Sequence, residues 1–319
     1  MILNFLLVAA GFILLIKGAD WLVEGASKLA KKHRIPDLVI GLTIVALGTS
    51  MPELVVNLIA SVENHSDIVY GNILGSNIFN TFVILGITAM VFPITITSNL
   101  VKKEIPLSIV FTMLVMIFSN PILGQSRPEL NRWEGIVMLV LFVAFIYFAL
   151  QQPDESISID EKHSHQEYSN IKIWSFIIIG LILLVVGGKF VVDNAINIAQ
   201  YFGVSEKIIA LTIVAAGTSL PELVTSVVAA SKKNSDIAIG NVVGSGIFNI
   251  IFVLSASAII RPLSFNTKFN IELLLIIFGT ILVIIFMFTY KRYKIDRREG
   301  ALLFFLFLLY SAYLIRDEI

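Results

Sequence analysis

The sequence predicts an all-α polytopic membrane protein whose ten transmembrane helices form two inverted five-helix repeats. Three observations predict this fold class: an apolar composition, ten apolar runs of membrane-spanning length, and an internal repeat whose copies lie five spans apart. Because five is an odd number, the two copies cross the bilayer in opposite directions.

The composition indicates that lipid, rather than water, is the main solvent of this chain. Of its 319 residues, 57% are hydrophobic and 14% are charged, and the mean hydropathy is +0.89. Soluble domains are about one quarter charged. The formal net charge is zero, which argues against a nucleic-acid partner, and no protein partner is implied. Cysteine is absent, which excludes disulfides, thiolate zinc sites and cysteine nucleophiles.

Runs long enough to cross a bilayer follow one another along the whole chain, since a span needs about 20 apolar residues. The first run, 2–16, has no basic segment before it and no cleavage site after it, so we expect it to be retained. The ten predicted spans are 2–27, 38–62, 68–92, 104–123, 133–151, 173–198, 207–230, 236–260, 270–290 and 299–315.

One long polar stretch, 152–172, separates a first half (1–151) from a second, inverted half (173–319). It lacks apolar periodicity and is predicted to be a linker, and its His163 and His165 are interpreted as solvated side chains rather than metal ligands. Alternate loops place fifteen basic residues on the linker side and six on the other. The positive-inside rule therefore predicts a cytoplasmic linker and two extracellular termini, in the plasma membrane.

An internal repeat is the most informative feature of the sequence. Its first segment occurs as GLTIVALGTSMPELV at 41–55 and as ALTIVAAGTSLPELV at 210–224. Its second occurs as GNILGSNIFN at 71–80 and as GNVVGSGIFN at 240–249, again 169 residues apart. A weaker match of 18–30 with 187–199 keeps this register. The constant offset indicates a duplication, and inverted repeats of this kind are typical of secondary transporters.

Each repeat carries one acidic residue near the middle of an apolar run, Glu53 in the first and Glu222 in the second. A charged side chain at that depth costs about 2.5 to 3.5 kcal/mol even on the most lenient scale. Neither repeat contains a basic residue that could compensate. We therefore expect the two carboxylates to be neutralised by bound cations, by protons, or by both in alternation.

Neutral oxygen donors surround both glutamates in the sequence. Pro52 and Pro221 have no backbone N–H, so we expect the carbonyls of Gly48 and Gly217 to lose their helical partners. The hydroxyl and amide candidates are Thr49, Ser50, Thr218, Ser219, Ser76, Asn80, Ser245 and Asn249. Such a set, with two carboxylates and neither sulfur nor imidazole, suits hard cations, above all Ca²⁺ with its 6 to 8 oxygen ligands, and also Na⁺.

These motifs resemble those of the sodium/calcium exchanger family, whose repeats carry G-[TS]-S-x-P-E and G-[NS]-x-x-G-S-x-x-x-N. The first motif stands at 48–53 and 217–222, and the second at 71–80 and 240–249. The resemblance implies an antiporter, not an enzyme, that exchanges Na⁺ for Ca²⁺ by alternating access. It further implies a cluster that holds three Na⁺ or one Ca²⁺ in turn, with no cofactor, while the first and sixth helices slide across a fixed core.

The ligand set that the resemblance implies combines side chains and backbone carbonyls. The side chains are Glu53, Glu222, Ser50, Ser219, Ser76, Ser245, Asn80 and Asn249, and the backbone oxygens are those of Ala46, Thr49, Ala215 and Thr218. Some relatives, including potassium-dependent ones, have Asp where this chain has Asn249, so we expect no potassium co-transport. Gly246 replaces the Asn77 of the first copy, a difference that the sequence does not explain.

Three alternatives remain open at the level of the sequence. The nearest is a Ca²⁺/H⁺ exchanger, although proton-coupled relatives typically carry G-N-x-x-E. An intramembrane hydrolase would need two unequal carboxylates, whereas the repeated surroundings are nearly identical and no G-x-G-D motif is present. A channel would conduct ions without saturable exchange.

Overall fold

The computed structural model describes residues 1–33, 35–95, 100–121, 128–151, 169–202, 215–289 and 293–318. These residues are mostly helical. Within them, six helices are long and apolar enough to cross a membrane, and a bent pair of helices adds a seventh span if it is counted as one. The protein is therefore an integral membrane protein.

The helices of the first half are α1 (Ile2–His33), α2 (Asp37–Thr49), α3 (Met51–Val62), α4 (Ser66–Val91), α5 (Ile105–Ser119) and α6 (Arg132–Leu150). Those of the second half are α7 (Asn170–Tyr201), α8 (Ala215–Gly217), α9 (Leu220–Ser231), α10 (Ser235–Ile260), α11 (Asn270–Phe286) and α12 (Arg297–Glu318). A π-helical turn, Leu100–Glu104, precedes α5, and a 3₁₀ turn, Thr267–Phe269, precedes α11.

The structure bears on two boundaries predicted from the sequence, the end of the linker and the start of the span 207–230. Helix α7 begins at Asn170, so the last residues of the predicted linker 152–172 are helical, while 152–168, with His163 and His165, lie outside the described residues. Lys172 Nζ lies 5.8 Å from the centre of the Phe176 ring one turn further on, a cation–π contact that suits a helix end at the membrane boundary. Of the predicted span 207–230, residues 207–214 also lie outside the described part.

The span predicted at 38–62 is broken in its middle. Helix α2 ends at Thr49, α3 begins at Met51, and the two axes differ by 50°. Ser50 between them has φ −86° and ψ 9°, and Ser219, its equivalent before α9, has φ −91° and ψ 6°. Pro52 lies in the first turn of α3, where no backbone N–H is needed, and the break falls two residues before it, at Ser50. The break exposes backbone and side-chain oxygens at membrane depth.

Helices α1 and α7 run side by side with their backbones close together. A Cβ added to Gly18 would lie 2.8 Å from the carbonyl oxygen of Gly180, and one added to Gly11 would lie 2.9 Å from that of Gly187. These four glycines form two equivalent pairs in the repeat, since 11 corresponds to 180 and 18 to 187. Such seams of small residues allow close helix packing in membranes.

Two pairs of short strands and two helix contacts join the halves, and each contact made by one half has a counterpart made by the other. Strand β1 (Ile94–Thr95) pairs with β4 (Lys294–Ile295), and β2 (Glu129–Leu130) pairs with β3 (Leu263–Ser264), all antiparallel. Strands β1 and β3 are equivalent in the repeat. The strand β1 of the first half pairs with a strand of the second half, and the strand β3 of the second half pairs with a strand of the first. In the same way, α12 packs on the end of α4, and α6 packs on the end of α10.

Candidate ion-binding site

Glu53 and Glu222 lie in the first turns of α3 and α9, immediately after the two backbone breaks. Each is only 1% exposed. The partial positive charge at a helix N-terminus favours a carboxylate at this position. Among the described residues, neither glutamate forms an ion pair with a basic side chain. Both carboxylates are thus buried with only partial compensation of their charge.

Each carboxylate is bound by the serine of the opposite repeat. Ser50 Oγ donates to Glu222 Oε1 at 2.8 Å, and Ser219 Oγ donates to Glu53 Oε1 at 3.3 Å. Both serines are fully buried. The two breaks therefore face each other. The candidate site is made where the repeats meet.

Several oxygens of this region are buried and have no hydrogen-bond partner among the described residues. They are Glu53 Oε2, Glu222 Oε2, Ser76 Oγ, Asn80 Oδ1, Asn249 Oδ1 and Thr218 Oγ1. A buried polar atom without a partner costs about 1 to 3 kcal/mol, so one site seldom collects so many. All six belong to residues that the sequence analysis singled out as ligands. A hard cation is the group that such a set of oxygens binds.

The polar residues of α4 and α10 are brought towards the two breaks. Asn80 and Asn249 lie in π-helical segments, Phe79–Ile84 and Phe248–Val253, and irregularities of this kind are frequent at functional sites. The first segment packs against α9 and the second against α3, the helices that carry Glu222 and Glu53. Ser245 Oγ donates to the carbonyl of Ala46 over 3.5 Å.

The backbone ligands that the resemblance implies are found in unequal surroundings. The Ala46 carbonyl accepts hydrogen bonds from Ser50 N at 3.0 Å and from Thr49 Oγ1 at 3.3 Å, in addition to the bond from Ser245. Thr49 and Thr218 each directly precede the serine of their break, Thr49 as the last residue of α2 and Thr218 as the first residue after α8, which begins at Ala215. Thr49 is buried, whereas Thr218 is half-buried.

Asn241 is a residue of the site that the sequence analysis did not single out. Its Oδ1 accepts from Thr49 Oγ1 at 3.0 Å, and its Nδ2 donates to Ser226 Oγ at 3.0 Å and to the Glu222 carbonyl at 3.3 Å. It thereby links the break of one repeat to the glutamate of the other. Asn241 and its equivalent Asn72 are the second residues of the two repeated GNxxGS segments, a signal that could have identified them.

The structure also explains the replacement of Asn77 by Gly246. A Cβ at position 246 would lie 3.1 Å from Asn77 Oδ1, so the two equivalent positions face each other between α4 and α10. Asn77 is held there by a 2.7 Å bond from its Nδ2 to the Ile73 carbonyl. A side chain at position 246 would therefore have to displace the Asn77 amide, which a glycine avoids.

The chemistry of the donor set is that of a hard-cation site. No cluster of three or more His, Cys, Asp or Glu side chains occurs within the described ranges. Two carboxylates, hydroxyls, amides and broken backbone segments remain. All of these groups present oxygen.

Comparison with known proteins agrees with this geometry. The family model described as sodium/calcium exchanger protein matches residues 3–151 and 172–316. The inner membrane protein YrbG of Escherichia coli is 36% identical over 88% of this chain and 89% of its own length, and the putative antiporter CaxA of Alkalimonas amylolytica is 38% identical over 82% of each chain. The sodium/calcium exchanger MaX1 of Methanosarcina acetivorans is 30% identical over 98% of this chain and 97% of its own length.

Among solved structures, that of the sodium-calcium exchanger NCX_Mj soaked with zero Na⁺ and Ca²⁺ superimposes with a TM-score of 0.84. It is 31% identical in sequence, and the match covers 98% of this chain and 99% of that one. Fold, donor set and family model thus agree over most of the sequence. The chain belongs to the sodium/calcium exchanger protein family, whose members are membrane transporters rather than enzymes.

Proposed function

We propose that this protein exchanges Na⁺ for Ca²⁺ across the plasma membrane by alternating access. The observation that carries the proposal is the pair of buried glutamates, each bound by the serine of the other repeat and each left with a second oxygen that has no partner among the described residues. Two negative charges, held in place but not neutralised, form a site that a divalent ion fills and that several monovalent ions fill equally well.

The proposed ligands are those of the sequence analysis. Glu53, Glu222, Ser50, Ser219, Ser76, Ser245, Asn80 and Asn249 contribute side chains, and Ala46, Ala215, Thr49 and Thr218 contribute backbone carbonyls. The inverted arrangement of halves 1–151 and 173–319, with ten spans, a cytoplasmic linker and extracellular termini, is part of the proposal. The repeat relation between the two halves is supported by the reciprocal strand pairs and by the left-handed residues Asn64 (φ 66°) and Lys233 (φ 62°), which are equivalent in the repeat.

The decisive test separates sodium coupling from proton coupling. The purified protein is reconstituted into vesicles loaded with Na⁺, and uptake of radioactive Ca²⁺ is measured after dilution into Na⁺-free buffer. We expect uptake to follow the outward sodium gradient and to persist when a protonophore removes any pH gradient. Uptake driven by the pH gradient alone would instead establish Ca²⁺/H⁺ exchange, the alternative that the sequence leaves open.

The same vesicles test the proposed ratio of three Na⁺ to one Ca²⁺. At this ratio, each cycle moves three positive charges out and two in, so one net positive charge leaves the vesicle. An interior-positive potassium diffusion potential should therefore accelerate Ca²⁺ uptake, since each charge gains about 2.3 kcal/mol per 100 mV. A rate that is independent of the potential would contradict this ratio.

The role of Asn241 gives a third prediction. Asn241→Ala removes the oxygen that accepts from Thr49 and the amide that donates two hydrogen bonds to α9. We expect the half-saturating Ca²⁺ concentration to rise about tenfold, because that is the effect of losing one to two net hydrogen bonds. The measurement is sodium-driven uptake as a function of external Ca²⁺.

The matched control for this prediction is Asn120→Ala. Asn120 is likewise buried, and it exchanges two amide hydrogen bonds with Asn270, at 2.8 and 3.0 Å, away from the breaks. An equal rise in both variants would indicate general destabilisation rather than a contribution of Asn241 to the site.

A further inference from the structure

One end of α9 is fastened to α1 by polar contacts. Lys232, the residue after α9, places its Nζ 2.6 Å from Asp20 Oδ1 and 3.0 Å from the Asp20 carbonyl. Two residues further on, Asn234 Nδ2 donates to Ser27 Oγ at 3.1 Å. The ion pair is about one third exposed, with 35% of the Lys232 and 38% of the Asp20 side chain accessible.

The repeat supplies a second pair of charges at the equivalent positions, with both signs reversed. Asp20 corresponds to Lys189, and Lys232 corresponds to Glu63. Because both signs change together, Glu63 and Lys189 would attract each other as Asp20 and Lys232 do. In the structure they form no ion pair with each other: both are exposed, and Glu63 Oε2 lies 4.0 Å from His65 Nε2.

The apolar packing shows the same difference between the halves. Leu220, Val224 and Val228 on α9 pack against the buried cluster to which α1 contributes. Their equivalents on α3 are Met51, Val55 and Ile59, which are 40%, 51% and 54% exposed. The pair formed by α1 and α7 therefore covers one of two equivalent helix faces and leaves the other uncovered.

We propose that Asp20–Lys232 and Glu63–Lys189 are alternating latches, one at each end of the helix bundle. The first holds α1 against α9 in the conformation seen here. The second forms when the α1–α7 pair moves to cover α3 instead, and the first is then broken. This inference rests on the proposed alternating-access function, and it identifies the charged residues that bias the two access states.

Both latches connect the same moving pair to the rest of the bundle. Asp20 and Lys189 belong to α1 and α7, whereas Lys232 and Glu63 follow α9 and α3. The two equivalent glycine pairs of the α1–α7 seam keep Asp20 and Lys189 on one unit. A shift that separates one ion pair can then bring the other together.

The absence of cysteine from the chain allows each state to be read with a single introduced thiol. Ile59→Cys reports on the uncovered face of α3, and Val228→Cys reports on the equivalent position of α9. In the otherwise unchanged protein we expect N-ethylmaleimide to modify the thiol at 59 faster than the thiol at 228. The rates are measured on protein reconstituted in vesicles, in the absence of Na⁺ and Ca²⁺.

Lys232→Ala should then raise the modification rate at 228 and lower that at 59, each about two- to fivefold, as the loss of a partly exposed ion pair implies. Lys189→Ala should shift both rates in the opposite directions. Exchanging the charges in the double variant Asp20→Lys with Lys232→Asp should restore the original rates. The matched control is Lys17→Ala, which removes an exposed charge from α1, the helix that carries Asp20. It should change neither rate.

Unchanged rates in Lys232→Ala, or rates that rise at both positions, would overturn the latch, since the second result means general loosening. The outcome is independent of the transport assay. If the sodium gradient drives uptake but the rates do not respond, only the latch is wrong. If the rates respond but no gradient drives uptake, the transport proposal is wrong.

Discussion

Glu53→Gln should reduce sodium-driven Ca²⁺ uptake by a factor of about one hundred or more. The amide retains the size of the side chain and an oxygen that can accept from Ser219, but it removes one of the two negative charges of a site that is 1% exposed. Removing one charge from a buried ionic arrangement costs about 3 to 5 kcal/mol, which corresponds to a factor of about one hundred to several thousand. Radioactive Ca²⁺ uptake into Na⁺-loaded vesicles measures this loss.

The equivalent change in the other repeat provides an internal comparison. Glu222→Gln should cause a loss of the same order, because Ser50 binds Glu222 as Ser219 binds Glu53. Asp67→Asn, at an exposed acidic position early in α4, serves as the control and should leave uptake unchanged. Uptake by Glu53→Gln within threefold of the unchanged protein would exclude the carboxylate from the transport site.

Gly244→Ala is expected to have the second largest effect, through the shape of the site rather than its charge. The added Cβ would lie 2.6 Å from the Leu42 carbonyl oxygen, 2.7 Å from the Leu42 Cα and 2.8 Å from the Ala46 Cβ. Two of these atoms are backbone, so no side-chain rotation relieves the overlap, and α2 has to move away from α10. That movement separates Ser245 from the Ala46 carbonyl and Thr49 from Asn241.

We therefore expect Gly244→Ala to lose most sodium-driven uptake and to unfold more readily, by about 1 to 3 kcal/mol as for other overpacked cores. Thermal unfolding in detergent and the uptake assay measure the two effects. Gly188→Ala is the matched control, because its Cβ would make only ordinary contacts with Pro221, the nearest at 3.9 Å. Normal uptake by Gly244→Ala would show that α2 and α10 can separate without harm to the site.

The sequence alone was sufficient to predict much of the chemistry proposed for the candidate site. We could read the register of the repeat and the membrane character directly from the sequence. The two glutamates could also be identified, because the cost of an uncompensated charge in an apolar run depends on local composition. The proposed ligand types also come from local sequence, since the motif supplies hydroxyl, amide and carboxylate oxygens at fixed spacing. The membership of the exchanger family, predicted from these motifs, is confirmed.

Only the tertiary structure decided which residues of the two copies meet. Ser50 binds Glu222 across 172 positions of the chain, Thr49 reaches Asn241 across 192, and Gly246 faces Asn77; none of these pairings can be deduced from periodicity. The exact position of the helix break, at Ser50, is likewise a property of the packed molecule. The physical reason is that a repeat encodes nearly identical local preferences twice, whereas packing of the halves against each other gives each copy a different neighbour.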